Sequence, residues 1–285
     1  MSKACGARSV YLRRMGGLVG LLLAAITADA QTNLPSVGLQ AYRLKHGPLT
    51  IAQVADNASG LAFDPRSGTL FLVLNKPTQL VQLDPEGKTL RTIPLQGFDD
   101  TEDVVYVGGN TFAVVEERRR NVCFFPVDAG TTAVSYSSAL RFLVDPVDAG
   151  NSGLEGIAYD SARRQCFVVK EKTPRRIYKF ARPTRSGERL AISRPWDIEK
   201  EGHGCRDLSA VYFHAASGHL LLLSDESRCV VECTPDGHEI ARLPLRAGSA
   251  GLPADLVQPE GITLDAKGAM YICCEPNLLY IFEHP

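Results

Sequence analysis

A short phrase recurs five times along this chain: a small or acidic residue followed by an apolar strand. It reads Ser59-Gly60-Leu61-Ala62-Phe63, Glu102-Asp103-Val104-Val105-Tyr106, Glu155-Gly156-Ile157-Ala158-Tyr159, Ser209-Ala210-Val211-Tyr212-Phe213 and Glu260-Gly261-Ile262-Thr263-Leu264, with successive copies 43 to 54 residues apart. Strand-rich repeats of this length are the signature of propeller blades, because each unit buries its faces only against its neighbours.

Each copy continues alike. A turn feeds a nearly continuous apolar run such as Thr69–Leu74 or His219–Leu223, the pattern of a strand covered on both faces. A third strand follows, as in Gln79–Leu83, Asn121–Phe125, Arg176–Phe180, Cys229–Cys233 and Leu278–Phe282, and turns such as Asp84-Pro85-Glu86-Gly87 and Thr234-Pro235-Asp236-Gly237 separate the strands. The sequence stops at Pro285 directly after the third strand of the fifth copy, so that blade lacks an outer strand. The alternating stretch Val37–Leu44 belongs to no copy and is expected to supply it, removing an exposed sheet edge. The fold class expected is all-β: a five-bladed β-propeller over residues 31–285, its ring closed by an N-terminal strand pairing with the last blade.

Lys and Arg number 31 against 32 for Asp and Glu, so bulk charge attracts no nucleic acid. Residues 1–30 differ from the rest. Lys3, Arg8, Arg13 and Arg14 precede an apolar run, Leu18–Ile26, and a small-x-small sequence, Ala28-Asp29-Ala30. This reads as a signal peptide cleaved before Gln31, the apolar run being short for a membrane span; an uncleaved anchor is the alternative. Either form is exported, to the periplasm or the outer face of the inner membrane.

Cys5 falls in that leader, and Cys123, Cys166, Cys229, Cys233, Cys273 and Cys274 fall on expected strands, where a cysteine serves as a small buried hydrophobe. An oxidising compartment also permits disulfides, with the pairing left open, although neighbours such as Cys273 and Cys274 bond poorly. No Cys/His spacing suggests zinc.

Superposing the copies brings Ser59, Glu102, Glu155, Ser209 and Glu260 to one level around the axis, with Asn57 and Asp207 two residues ahead of the serines. Convergent carboxylates repel unless protonated, paired or bridged by a cation. Oxygen ligands in a flexible cage favour calcium, with Glu102, Glu155, Asp207 and Glu260 as ligands and Asn57, Asn151, Ser209 and turn carbonyls completing the shell. The alternative is that these glutamates cap turns or pair with nearby Arg and Lys. A second ring follows the second strands: Asn75-Lys76, Glu116-Glu117-Arg118, Lys170-Glu171-Lys172, Asp225-Glu226-Ser227-Arg228 and Glu275-Pro276-Asn277. Its alternating charges are expected largely to cancel around the mouth. Asn75, Glu117, Arg118, Glu171, Lys172, Asp225, Glu226, Arg228, Glu275 and Asn277 are also candidates for recognising a small polar ligand. No nucleophile elbow occurs; His203, in Gly202-His203-Gly204, is the one candidate general base.

The phrases Asn75-Lys76-Pro77, Glu117-Arg118, Leu154–Tyr159, Lys170-Glu171-Lys172, Glu226-Ser227-Arg228, Pro259-Glu260-Gly261 and Glu275-Pro276-Asn277 resemble those of the SdiA-regulated, YjiK-like family of exported bacterial β-propellers. The likeness runs from about Asn57 to Phe282. It implies a five-bladed propeller, a shared calcium site and association with the cell envelope, but no established reaction. Two functions follow as expectations: a calcium-binding module for a polar ligand or an envelope protein, or a calcium-dependent hydrolase resembling lactonases or phytase-like phosphatases. Ser at 59 and 209 and Ala at 210 depart from the repeat, so the site is expected to lack full five-fold equivalence.

Overall fold

The computed structural model describes residues 36–145, 152–201 and 203–284; the leader 1–30 and Asn151 lie outside them. Strand β1 (Arg43–Thr50) comes first, and the blades follow in chain order. The first blade is β2 (Ala58–Asp64), β3 (Thr69–Leu74), β4 (Gln79–Leu83) and β5 (Thr89–Gln96). The second is β6 (Thr101–Gly108), β7 (Thr111–Glu116) and β8 (Asn121–Pro126); its chain then runs through β9 (Val134–Ser135), parallel to β5, into the outer strand β10 (Leu140–Leu143). The third has β11 (Leu154–Asp160), β12 (Gln165–Lys170) and β13 (Arg176–Ala181), followed by the short helix α1 (Ile198–Glu201). The fourth is β14 (Ala210–His214), β15 (His219–Ser224), β16 (Cys229–Cys233) and β17 (Glu239–Pro244). The fifth is β18 (Pro259–Leu264), β19 (Met270–Cys274) and β20 (Leu278–Glu283), to which β1 adds the outermost strand, giving the sheet order β1-β20-β19-β18.

The core is divided into five layers, one between each pair of neighbouring blades, and the two-residue period of the strands sorts side chains between them. Leu70, Leu72 and Leu74 of β3 enter the layer shared with the fifth blade, while Phe71 and Val73 enter the layer shared with the second. Strand β19 does the same: Met270, Ile272 and Cys274 pack toward the fourth blade, Tyr271 and Cys273 toward the first. The second strands are therefore apolar on both faces, which is why their sequences do not alternate with polar residues. Inner strands β2, β6, β11, β14 and β18 adjoin one another around the axis.

The ring is closed by the N-terminal strand, but not with the residues expected. Alternation points to residues 37–44; the strand is instead Arg43–Thr50, pairing Leu44 with Phe282 and Leu49 with Leu279. Upstream, Gly38 adopts a left-handed conformation (φ 76°) and Leu39–Ala41 form a single 3-10 turn. That turn seats Leu39 and Tyr42, both buried, in the layer between the fourth and fifth blades. Residues three apart share one side of such a turn, so the apolar pattern serves packing without ladder pairing. Ser36 Oγ and the Val37 amide donate to Glu232 (2.6 and 2.8 Å), fixing this segment on β16. No helix among the described residues is long and apolar enough to cross a membrane.

Candidate metal centre

Four of the five repeated phrases contain a β-bulge. In the ladder of β6 with β7, Thr101 faces Glu116 and Asp103 faces Val115, which leaves Glu102 as the extra residue; Glu155 and Glu260 are extra in the same way. In the first blade Ser59-Gly60 stands opposite the single Val73. A bulge bends its strand and re-aims the unpaired side chain, and here it turns the carboxylates into the space at one end of the axis. The fourth blade has no bulge in β14, and Ser209 Oγ accepts instead from the Asp225 amide at 3.1 Å.

Glycine follows the bulged residue in three copies because a neighbouring backbone occupies the Cβ position. A Cβ on Gly156 would lie 2.8 Å from the Val211 nitrogen, and one on Gly261 would lie 2.8 Å from the Leu61 nitrogen. Gly60 abuts Asp103, the residue that stands in place of glycine in the second copy. The buried Asp103 carboxylate accepts from the Val104 and Ile157 amides, both at 2.8 Å, and also from the Leu61 amide, joining three inner strands. Burial pushes this carboxyl well above its ordinary range.

The cavity these strands frame holds about 210 Å³ and is lined by Ser59, Glu102, Glu117, Glu155, Glu171, Lys172, Asp207, Ser209, Asp225, Glu226, Glu260 and Glu275. Among the described residues, nine carboxylates thus face a single ammonium group. Farther along the inner strands Leu61, Val104, Ile157, Val211 and Ile262 are buried and line a second, largely apolar cavity, not this one. Glu117, Glu171, Asp225 and Glu275 each occupy the first position after a second strand, a second acidic tier with Asn75 as its fifth member. Asn75 lies just behind the wall and donates from Nδ2 to Glu102 Oε1 at 3.2 Å.

Electrostatics follow from this crowding. Burial, with Asp100 adding repulsion, lifts Glu102 to about 6. Burial and a shared hydrogen bond with Asp100 lift Glu117 to about 7. Burial and the charges of Asp225, Glu275 and Glu102 lift Glu260 to about 9, and Glu155 stands well above its ordinary range through burial and Glu102, Glu117, Glu171 and Glu260. Desolvated like charges account for all four directions, and protonation or a bound cation relieves them.

Asp100, Glu102 and Glu117 each place a carboxylate oxygen within 4.8 Å of the others, an arrangement able to hold a metal ion. Asp100 was not among the residues singled out from the sequence. It stands two residues before Glu102, as Asn57 and Asp207 stand before Ser59 and Ser209, so the repeat itself carried the signal. Asn57, Asp100 and Gln258, in equivalent positions of three blades, share a positive φ (63°, 54° and 47°). Oxygen donors alone suit a hard cation, and six to eight of them at about 2.3–2.6 Å suit calcium.

The remaining candidates are dispersed. Asp207 lines the cavity, but its carboxylate is engaged by the Ser224 hydroxyl and the Glu226 amide, so it anchors the β15–β16 turn. Lys172 is held between Glu171 (2.8 Å) and Glu226 (3.0 Å). Arg118 pairs with Asp100 (2.7 Å) with its side chain 72% exposed, and Arg228 pairs with Asp255 (2.8 Å). These two arginines lie outside the cavity lining, so charge does not cancel inside the mouth. Asn57 donates to the Lys76 carbonyl at 3.2 Å and Asn277 to the Val54 carbonyl at 2.6 Å, both as loop ties. His203 is buried outside the cavity, its Nδ1 3.2 Å from Glu239 Oε2 and its ring edge-on to Trp196.

A closed propeller with an acidic axial cavity defines the class of molecule. The SdiA-regulated family matches residues 35–283, and the chain belongs to that family. Among solved structures it is similar to a calcium-binding protein, regucalcin, from Agrobacterium tumefaciens (12% identity, TM-score 0.51, covering 86% of this chain and 93% of that one). It is also similar to a gluconolactonase from Xanthomonas campestris (15% identity, TM-score 0.50, 86% and 95%) and to a luciferin-regenerating enzyme (11% identity, TM-score 0.51, 85% and 94%). At these identities the likeness concerns the fold.

Proposed function

We propose that this protein is an exported, cell-envelope-associated propeller that binds calcium in the axial cavity and presents the ordered rim to a small polar ligand or an envelope partner. The observation that carries this reading is the convergence of Glu102, Glu155 and Glu260 from three bulges onto one desolvated cavity, with Asp100 and Glu117 beside Glu102. Those five residues would hold the ion, which would supply the positive charge the cavity lacks. Calorimetric titration tests it. Glu155→Gln and Glu260→Gln are each expected to weaken calcium binding about tenfold or more, a loss of about 1.4 kcal/mol per tenfold, whereas Glu86→Gln, in a turn outside the cavity, leaves it unchanged. No heat of binding in the unaltered protein would overturn the reading.

A second reading, a metal-dependent hydrolase, is favoured by one feature: the cavity carries carboxylates beyond those that would hold the ion, among them Asp225, raised by burial and by Asp207, which could handle a substrate proton. His203 has no part in this reading, since it does not line the cavity. Turnover of phosphomonoesters, phytate or lactones in the presence of calcium, lost in Asp225→Asn while calcium binding is retained, would favour the enzyme. Calcium binding without turnover on any of them would favour the binding module.

Export belongs to the proposal because calcium outside the cytoplasm reaches concentrations that fill weak sites. The basic, apolar and small-residue order of residues 1–30 supports it. A mature N-terminus at Gln31 in the soluble periplasmic fraction is expected; the full-length chain found only in the cytoplasm would contradict export.

A further inference from the structure

Seven cysteines fall among the described residues, all buried as free thiols. Most are isolated from one another or badly aimed. Cys273 and Cys274 are adjacent on β19 and enter opposite layers of the core, and burial pushes the thiols of Cys166 and Cys233 up. Cys205 and Cys229 are different. Cys205 lies in the loop between α1 and β14, Cys229 opens β16, and both enter the layer between the third and fourth blades. Ser227 Oγ ties the two segments together, donating to the Gly204 carbonyl at 2.9 Å and accepting from the Arg206 amide at 2.8 Å, which sets the two thiols beside each other.

The surroundings of this pair are polar although it is buried. Arg242 donates from Nη1 to Cys229 Sγ at 3.0 Å and from Nη2 to the His203 carbonyl, and Glu239 holds the same guanidinium at 2.9 Å. The thiol donor and the fixed cation pull Cys229 down to about 7, while Cys205 is pushed up. His203 Nε2 and Trp196 Nε1, in edge contact beside Arg242, are buried without a hydrogen-bond partner among the described residues. Among the described cysteines, no other combines a thiol neighbour with a cationic partner.

We propose that Cys205 and Cys229 form a peroxide-oxidisable disulfide site that staples the loop carrying Asp207 to the strand behind Asp225 and Glu226. The Cys229 thiolate attacks one oxygen of a hydroperoxide. Its sulfur–oxygen bond forms as the peroxide O–O bond breaks, and the departing oxygen leaves with the electron pair and takes a proton, giving a sulfenic acid and water or an alcohol. The Cys205 sulfur then attacks Cys229 Sγ, its proton passing to the displaced hydroxide, and water leaves. Two thiols are oxidised and one peroxide is reduced. Because Asp207, Asp225 and Glu226 all line the axial cavity, the staple fixes one wall of it from behind.

The test uses hydrogen peroxide on the reduced, folded protein in chelator, so that its outcome does not depend on cation binding. Alkylation under denaturing conditions and non-reducing peptide mass mapping should give a Cys205–Cys229 linked peptide as the main product, absent from Cys205→Ser and Cys229→Ser and retained in Cys166→Ser. Closing this loop should raise the melting temperature of the oxidised protein by about 5–10 °C, reversed by reductant. Oxidation that links other cysteines, or that leaves Cys205 and Cys229 free in protein whose melting curve shows it folded, would overturn the proposal.

Discussion

In the presence of chelator, the melting temperature should fall steadily as pH is raised from 5 to 9, and calcium should restore it by an amount that grows over the same range. The sign follows from the cavity. Glu102, Glu117 and Glu260 have folded-state values of about 6, 7 and 9, all raised above an unfolded value near the ordinary glutamate range. A carboxyl group raised on folding contributes stability that is fully present below the unfolded value and is lost as pH rises through the folded one. Loss therefore begins near pH 5 and continues to pH 9. Calcium competes with these protons, so its affinity rises as they leave. At a hundred times its dissociation constant it adds about 2.7 kcal/mol, or about 5–10 °C for a chain of this size. Differential scanning fluorimetry over that pH series, with calcium or chelator, measures both effects. A flat profile without chelated metal and no response to calcium would sink the picture of a desolvated carboxylate cluster.

Gly60→Ala should destabilise the ring more than any change of charge at its mouth. The added methyl would overlap Asp103 Oδ1 and Cα, and neither can move easily. The carboxylate accepts amides from neighbouring inner strands, and the Cα belongs to β6 itself. Overpacking in a well-filled core costs about 1–3 kcal/mol, and a backbone clash that also disturbs a buried hydrogen-bonded carboxylate raises this to about 4 kcal/mol or prevents folding. Gly261→Ala should behave alike, its Cβ falling 2.8 Å from the Leu61 nitrogen and 2.9 Å from the Ser59 oxygen. Gly130→Ala, with only Asp128 Oδ1 at 3.5 Å, should remain within about 0.5 kcal/mol of the parent. Urea denaturation compares the three. Equal midpoints for Gly60→Ala and Gly130→Ala would mean that the inner strands are less closely set than described.

The number of blades and the strands within them are legible in the repeat because every copy must satisfy the same two-sided burial. Local features are less so. Alternation at 37–44 looks like a strand, yet one left-handed glycine converts it into a turn whose apolar residues pack just as well, and the pairing falls to Arg43–Thr50. The acidic phrase is visible, but its bulge is not, since a bulge is a property of two strands in register. Asp100 is less legible because its neighbour Asp99 and the following Thr101-Glu102 look like a solvated turn, although the superposed copies set it level with Asp207. Acid and base side by side, as in Glu117-Arg118, suggest neutralisation. Consecutive turn residues point in different directions, so Glu117 faces the cavity while Arg118 lies largely exposed.

Blade five joins the first strand of the ring to the last three, and this gives the molecule a clasp. No growing chain possesses a finished ring until β20 has emerged and found β1. Glu260 and Glu275, which this blade contributes, complete the cavity wall. The cavity is thus a product of completion: four blades alone would be a crescent with a gap in its acidic tiers, and only the closed circle brings its carboxylates to a common centre.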